Sequence, residues 1–242
     1  MGMALLGEAA IAMWWEMDPS MRREFEHWHS HEHFPERLSI PGFLRGSRWA
    51  QTDGGNGFFI MYELDRYATL SSPHYLERLN KPTPWSTKLM PYHANMVRSQ
   101  CRVLESRGGA TARYALTLRL SPSREKESEL RAYLKTFFDK TVWQAGITAA
   151  HLLHTQTPAI AQTKEQEIRG GNDQSADWIV VVTGYEVDTL NTLLKTDLSE
   201  HALVQVGVTG ALVSGLYSLS YTALASDVQD IARLRPEKVS LN

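Results

Sequence analysis

The stretch Phe43-Leu44-Arg45-Gly46-Ser47-Arg48-Trp49-Ala50-Gln51, then Thr52-Asp53-Gly54-Gly55-Asn56-Gly57, then Phe58-Phe59-Ile60-Met61-Tyr62-Glu63-Leu64 decides the fold. Two β-prone runs flank a segment crowded with turn residues, which predicts a hairpin. Upstream, Leu5 to Met17 reads as an extended apolar segment. Asp18-Pro19 then offers a helix N-cap with proline at the first helical position. The helix runs to about His33 or Phe34, is interrupted near Pro35, and ends at Ile40-Pro41-Gly42. Downstream, Tyr67 to Asn80 reads as helical despite Pro73, Lys81 to Pro91 is a Pro-rich crossover, and Asn95 to Leu104 supplies a fourth strand. The hairpin therefore sits at the centre of a β-α-β-β-α-β unit.

The same order returns beyond Arg107-Gly108-Gly109-Ala110, the best linker candidate. Tyr114 to Leu120 alternates like a strand, and Ser123 to Ala145 is an amphipathic helix. Ile147 to Gln156 is a strand, and Lys164 to Asp177 is a polar insertion. Trp178 to Val187 is strongly β-prone, Thr189 to Leu203 is helical, and Leu216 to Thr222 closes the set. The expectation is an α+β fold of tandem ferredoxin-like βαββαβ repeats. Residues 1–109 form the half carrying the proposed polar site, and residues 110–242 form the other. Two open sheets facing one another cover each other's exposed faces and edges, giving a fused pseudo-dimeric α+β barrel. Two separate ferredoxin-like domains packed by their helices is the competing plan.

Composition narrows the function. With 25 basic and 27 acidic side chains and a formal net charge of -2, there is no electrostatic case for nucleic acid or an anionic membrane. A small-molecule substrate remains open, as does a homo-oligomer. Cys101 is the only cysteine, which excludes an intrachain disulfide and fits a reduced, cytoplasmic setting. Met1–Met13 is apolar but has no basic n-region, so it reads as an entering strand rather than a signal peptide. No stretch approaches the ~18 uninterrupted apolar residues of a transmembrane helix.

Four histidines, His27, His29, His31 and His33, crowd the end of the first helix around Glu32. On a helical wheel of about 100° per residue with Met21 at zero, Phe25 and Trp28 centre the buried face near zero. Glu32 falls at about 20°, inside that face, with His29 at about 80° and His31 at about 280° on its flanks. His33 and His27 lie further toward solvent. A carboxylate on an apolar stripe is costly unless paired, hydrated or protonated, which makes Glu32 a functional candidate. The string His29-Ser30-His31-Glu32-His33 also fits H-x-x-E-H, the inverted zinc-hydrolase pattern, with a third ligand to come from His74, His93, His151, His154 or His201. Either Tyr62 or Glu63 faces a cavity, depending on strand parity. Arg48 and Trp49 on the preceding strand, and Trp85, Tyr92 and His93 in the crossover, are further candidates for its wall.

Glu32-His33-Phe34-Pro35 followed by Pro41-Gly42-Phe43 resembles the first-helix signature of the EthD-like proteins of the dimeric α+β barrel superfamily. Tyr62-Glu63-Leu64 and Ser72-Pro73-x-Tyr75 are compatible with it, so the resemblance covers roughly the first 100 residues. It implies a fused barrel whose first half keeps a polar site, since the helix Glu125 to Ala145 carries no Glu-His pair. Relatives in that superfamily include cofactor-free cyclases, lactone isomerases and monooxygenases, haem enzymes and accessory proteins, and fold alone does not choose among them.

The leading expectation is a cofactor-independent acid–base enzyme, an isomerase, cyclase or hydrolase, acting on a small cyclic or aromatic molecule. His33 or His29 moves a proton, Glu32 orients the imidazole, and Tyr62 or Arg48 steadies oxyanion charge. Trp49, Trp85 and His93 complete the binding set, with no metal or other cofactor. The alternatives are a non-catalytic metabolite-binding or assembly protein, and a divalent-metal hydrolase or haem enzyme. No G-x-S-x-G elbow, phosphate-binding glycine loop or C-x-x-C-H haem motif occurs.

Overall fold

The computed structural model describes residues 5–109, 111–171 and 173–228. Residues 1–4 of the apolar leader and Ala110 of the linker lie outside the described residues. Eight strands are formed: β1 (Ala9–Met17), β2 (Phe43–Gln51), β3 (Gly57–Leu64), β4 (His93–Gly108), β5 (Tyr114–Pro122), β6 (Ile147–Thr155), β7 (Trp178–Gly184) and β8 (Val208–Leu224). They close into one antiparallel barrel in the order β1-β3-β2-β8-β5-β7-β6-β4. Each half thus contributes its strands in the ferredoxin-like order 4-1-3-2, and the halves join at β2–β8 and β4–β6. Closure removes the free edges that either sheet would expose alone. The duplicated units therefore form a pseudo-dimeric barrel, not two domains packed by helices.

The joining strands are longer than their sequence signals. In β4, residues 93–102 pair with β1 while residues 101–108 pair with β6. The ladder to β6 draws Arg107 and Gly108, the first half of the linker candidate, into the strand. β8 likewise pairs with both β5 and β2.

The barrel lumen is filled by side chains. Phe59 on β3 stacks between Trp14 (centroids 5.0 Å) and Trp49 (5.2 Å), with Met61, Ile179 and Val181 around them. The opposite faces of the strands carry the helices. In the first half these are α1 (Arg22–Trp28), α2 (Phe34–Leu38), α3 (Pro73–Asn80) and α4 (Pro84–Leu89). In the second they are α5 (Glu127–Thr141), α6 (Lys164–Ile168), α7 (Val187–Lys195) and α8 (Glu200–Gln205). Asp18 starts the first helical run as expected, accepting from the Ser20 amide before a 3₁₀ turn leads into α1.

Between α1 and α2 the chain does not stop. His29–His33 forms a π-turn, in which the Phe34 amide bonds the His29 carbonyl, and helix resumes through Leu38. Proline has no amide to give and its ring clashes with the carbonyl four residues back, so a regular α-helix cannot carry Pro35 in mid-run. The wider turn accommodates it. Gly46 matters here: a Cβ would lie 2.4 Å from the Phe34 ring, so only glycine lets α2 seat against β2.

Candidate active site

The π-turn re-phases the histidines. Adding one residue to the turn moves each later side chain back around the axis, so His33 occupies the inward position that a regular α-turn gives to Glu32. His29 and His33 are both buried, with rings 5.3 Å apart and 20° from parallel. Glu32 is half-buried, and its carboxylate accepts from the Thr83 hydroxyl outside the cavity. His27 and His31 pack on one another, His27 also against Trp85, away from the cavity.

His29 and His33 face a small cavity between the first-half sheet and its helices, about 40 Å³ in volume. Trp15 from β1, Trp28 from α1 and Tyr62 from β3 wall it, together with His93 and Arg98 from β4 and Tyr75 from α3. Parity on β3 is settled: Tyr62 points to the cavity. Glu63 points to the other face, where it accepts from Arg45 Nε (2.6 Å) and the Leu6 amide (2.9 Å). Of the other candidates, Trp49 lies in the barrel lumen, and Trp85 donates to Glu24 on the outer side of α1 (3.1 Å). Arg48 stands behind the site, donating to His29 Nδ1 (3.4 Å), the Glu26 carbonyl (3.3 Å) and Ser220 (3.0 Å).

The three cavity histidines are neutral. Burial pushes His29 and His33 well below the usual imidazole range, and the guanidiniums of Arg48 beside His29 and Arg37 beside His33 push further the same way. Burial takes His93 down to about 3. The bonds assign two of the tautomers. His93 Nδ1 donates to the Met90 carbonyl (3.0 Å), which leaves Nε2 as a bare, buried lone pair. His29 Nδ1 accepts from Arg48, which leaves its proton on Nε2. Burial also drives the Tyr62 phenol strongly upward, so it stays protonated, and its Oη has no hydrogen-bond partner among the described residues.

One wall comes from the other half of the chain. The polar insertion after β6 folds as α6 across the first-half cavity. Glu165 is buried there and paired with Arg37 of α2, and the partly buried Arg169 turns its side chain inward beside it. Arg169 lies 3.8 Å from Glu165 and 2.7 Å from Asp173, completing a buried ionic chain. Arg37, Arg98, Tyr75, Glu165 and Arg169 were not singled out by sequence. The i,i+4 spacing of Glu165, Arg169 and Asp173 was visible, but not that this face crosses to the other half. His93, Met96 and Arg169 also wall an outer chamber of about 230 Å³, bounded by Asn95, Asp173 and Gln174.

The H-x-x-E-H reading fails on geometry. Lone pairs lie in the ring planes, so the near-parallel His29 and His33 rings do not converge on one ion, and Glu32 is not between them. Among the described residues no cluster of three or more His, Cys, Asp or Glu is arranged to hold a metal. Haem fares better on chemistry, because a neutral histidine with its far nitrogen anchored to a carbonyl is a suitable axial ligand. It does not fit the space: both chambers are smaller than the ~300–1,000 Å³ of ordinary ligand pockets.

No family model and no curated protein matches the chain. Solved structures do match it, across nearly its whole length. An anthrone oxidase-like protein superposes with a TM-score of 0.65 at 12% identity, over 93% of this chain and 96% of that one. A putative monooxygenase from Fusobacterium nucleatum subsp. nucleatum gives 0.57 at 9% identity, over 91% and 96%. A putative chlorite dismutase gives 0.54 at 11% identity, over 95% and 100%. The chain has the dimeric α+β barrel fold, with both barrel halves in one polypeptide.

Two expectations give way. The resemblance holds at the level of the dimeric α+β barrel fold, but the narrower EthD-like membership finds no support, since no family model matches and the structural neighbours carry other names. Cofactor-independent acid–base chemistry on a Glu32–His33 pair gives way as well. The neighbours are described as oxidase-like, monooxygenase and chlorite dismutase proteins, and Glu32 is turned toward Thr83 and away from the cavity.

Proposed function

We propose that this chain is a small-molecule enzyme of the oxidative, cofactor-linked kind, and that the cavity of His29, His33 and His93 is its site. The single observation carrying this reading is the concentration around one small cavity of buried polar atoms that have no hydrogen-bond partner among the described residues: His33 Nδ1, Arg37 Nη1, Tyr62 Oη and His93 Nε2. Buried polar groups left unpaired are costly, and they gather where a ligand completes them. The names of the fold neighbours supply the oxidative class.

Each residue has a definite part. His93 Nε2 accepts a hydrogen bond from a ligand hydroxyl, and Tyr62 donates one. His29 is held in orientation by Arg48, and Trp15 and Trp28 give the cavity apolar walls. A redox partner would supply the electron chemistry. Because haem does not fit chambers this small, the partner is taken as a dissociable cofactor or co-substrate. The barrel closes within one chain, so the site needs no second copy, and residues 1–109 supply most of it. The reading keeps a cytoplasmic setting, in which buried Cys101 stays a thiol.

The test is oxygen uptake with a hydroquinone probe, with and without added flavin or haemin, for the native protein and for His93→Ala. Turnover that depends on an added redox partner and falls at least tenfold in H93A supports the reading. Ligand binding without turnover under every condition favours a metabolite-binding protein instead.

A further inference from the structure

The inner chamber is rich in hydrogen-bond donors and poor in acceptors. Trp15 Nε1, Trp28 Nε1, Arg37 Nη1 and Tyr62 Oη are all buried without a hydrogen-bond partner among the described residues, and all four residues wall it. The first three can only donate. Against these four stands one orphan acceptor in the wall, His93 Nε2; Glu36 Oε2, 3.9 Å from Arg37 Nη1 and 3.8 Å from His33 Nδ1, is not part of the wall.

The charges of the wall are also unequal. Arg37 is paired with Glu165, and Arg169 with Asp173 and Glu165. Arg98 makes no ion pair among the described residues. Its guanidinium donates instead to two neutral groups, Tyr75 Oη (2.6 Å) and Gln100 Oε1 (3.2 Å), which fix its direction without cancelling its charge. A positioned cation without a counter-charge, among unpaired donors, is complementary to a ligand anion.

Size selects the anion. The inner chamber of about 40 Å³ holds roughly three waters at ~10–15 Å³ each, so it takes about three heavy atoms. That is the size of a carboxylate and too small for a ring. The outer chamber, about 230 Å³, has room for the ring beyond it, and there Asp173 is neutralised by Arg169 through two hydrogen bonds (2.7 and 3.2 Å).

We propose that the site binds a carboxylate-bearing small molecule head first, with the carboxylate on Arg98 in the inner chamber and the body of the ligand in the outer one. The remaining carboxylate lone pairs meet the unpaired donors of the same wall. This inference rests on the cavity being the ligand site and adds the substrate class to it.

The test compares benzoate with its neutral isostere benzamide, by calorimetry and by quenching of the fluorescence of Trp15 and Trp28. The proteins are native, Arg98→Met and Arg98→Lys, each checked for an unchanged circular dichroism spectrum. The native protein binds benzoate at least tenfold more tightly than benzamide. R98M abolishes that preference, and R98K, which keeps the charge, retains part of it. If R98M does not fold, R98K carries the test through a reduced but measurable preference. Equal binding of benzoate and benzamide, or a benzoate affinity unchanged in both variants, overturns the inference while leaving the cavity a ligand site. Binding of neither probe to the native protein overturns the inference together with the reading beneath it.

Discussion

The two halves of the barrel share a topology and treat their sheet–helix layers oppositely. In the second half, Leu130, Leu134, Phe137 and Phe138 of α5 close against Leu116, Leu118, Leu152 and Trp178, and the layer is almost wholly apolar, with Thr141 buried at the end of the helix. In the first half, the equivalent layer contains a π-turn, buried histidines and a cavity with arginines in its wall. The second half then sends α6 across to seal the first. One layer is packed for stability, while the other carries polar groups that packing alone does not reward. Duplication within one chain permits this division, because the barrel's stability does not depend on both layers being dry.

The comparison is tested most severely at the seal. Glu165→Ala leaves the buried Arg37 with only the more distant Glu36 carboxylate (3.9 Å), and loss of one partner of a buried pair costs about 3–5 kcal/mol. Urea unfolding measures this, and benzoate binding is lost with it as α6 releases the cavity. Phe138→Ala in the dry layer costs a comparable ~3–5 kcal/mol by cavity formation yet leaves binding intact once the protein is folded. If both variants lose binding equally, the halves are not separable in the way proposed.

Acid sharpens the contrast next. His29, His33 and His93 are held neutral by burial in the folded chain, whereas in the unfolded chain they titrate near ~6.5. Below that pH the unfolded state binds more protons than the folded one. Stability is therefore complete above about pH 6.5 and falls as pH drops toward 3, by up to about 1.4 kcal/mol per pH unit for each histidine. The second half contributes one such group, His151, lowered to about 3 and bonded through Nδ1 to Ser106 (2.8 Å). Unfolding free energies at pH 7.5 and 5.0 show the loss, and the double variant His33→Phe, His93→Phe removes about twice the slope that His151→Phe removes. Equal flattening by the two removes the asymmetry.

How much of this was legible follows from which interactions are local. The Thr52–Gly57 turn and the flanking β-runs carry their own signal, so the hairpin and the repeated βαββαβ order could be read from residues alone. The Asp18 cap was readable for the same reason. Strand ends at Gly108 and Leu224 were not, because the β4–β6 and β8–β2 ladders that extend them join distant parts of the chain. In the site, His29, His33, Tyr62 and His93 could be named as candidates. Arg37, Arg98, Glu165 and Arg169 gain their roles only from partners brought in by the fold. Glu32 was misplaced because a wheel of regular α-turns has no position for the extra residue that Pro35 is accommodated by.

Glu32 therefore gives the smallest effect and the cleanest check on the π-turn. Its carboxylate accepts from the Thr83 hydroxyl, and the same Thr83 oxygen accepts from the Ser86 amide (3.0 Å) to cap α4. Glu32→Gln keeps an acceptor toward Thr83, and Glu32 is only half-buried, so the change stays within about 0.5 kcal/mol, the range of ordinary surface substitutions. Thr83→Ala, which removes the cap itself, costs about 1 kcal/mol. Neither touches the cavity wall, so benzoate affinity is unchanged in both. A regular α-helix through residues 29–33 predicts the opposite order, because it turns Glu32 inward, where a change of charge alters both stability and binding. A large effect of E32Q on binding, with T83A silent, would thus return Glu32 to the cavity and remove the π-turn on which the contrast between the two halves depends.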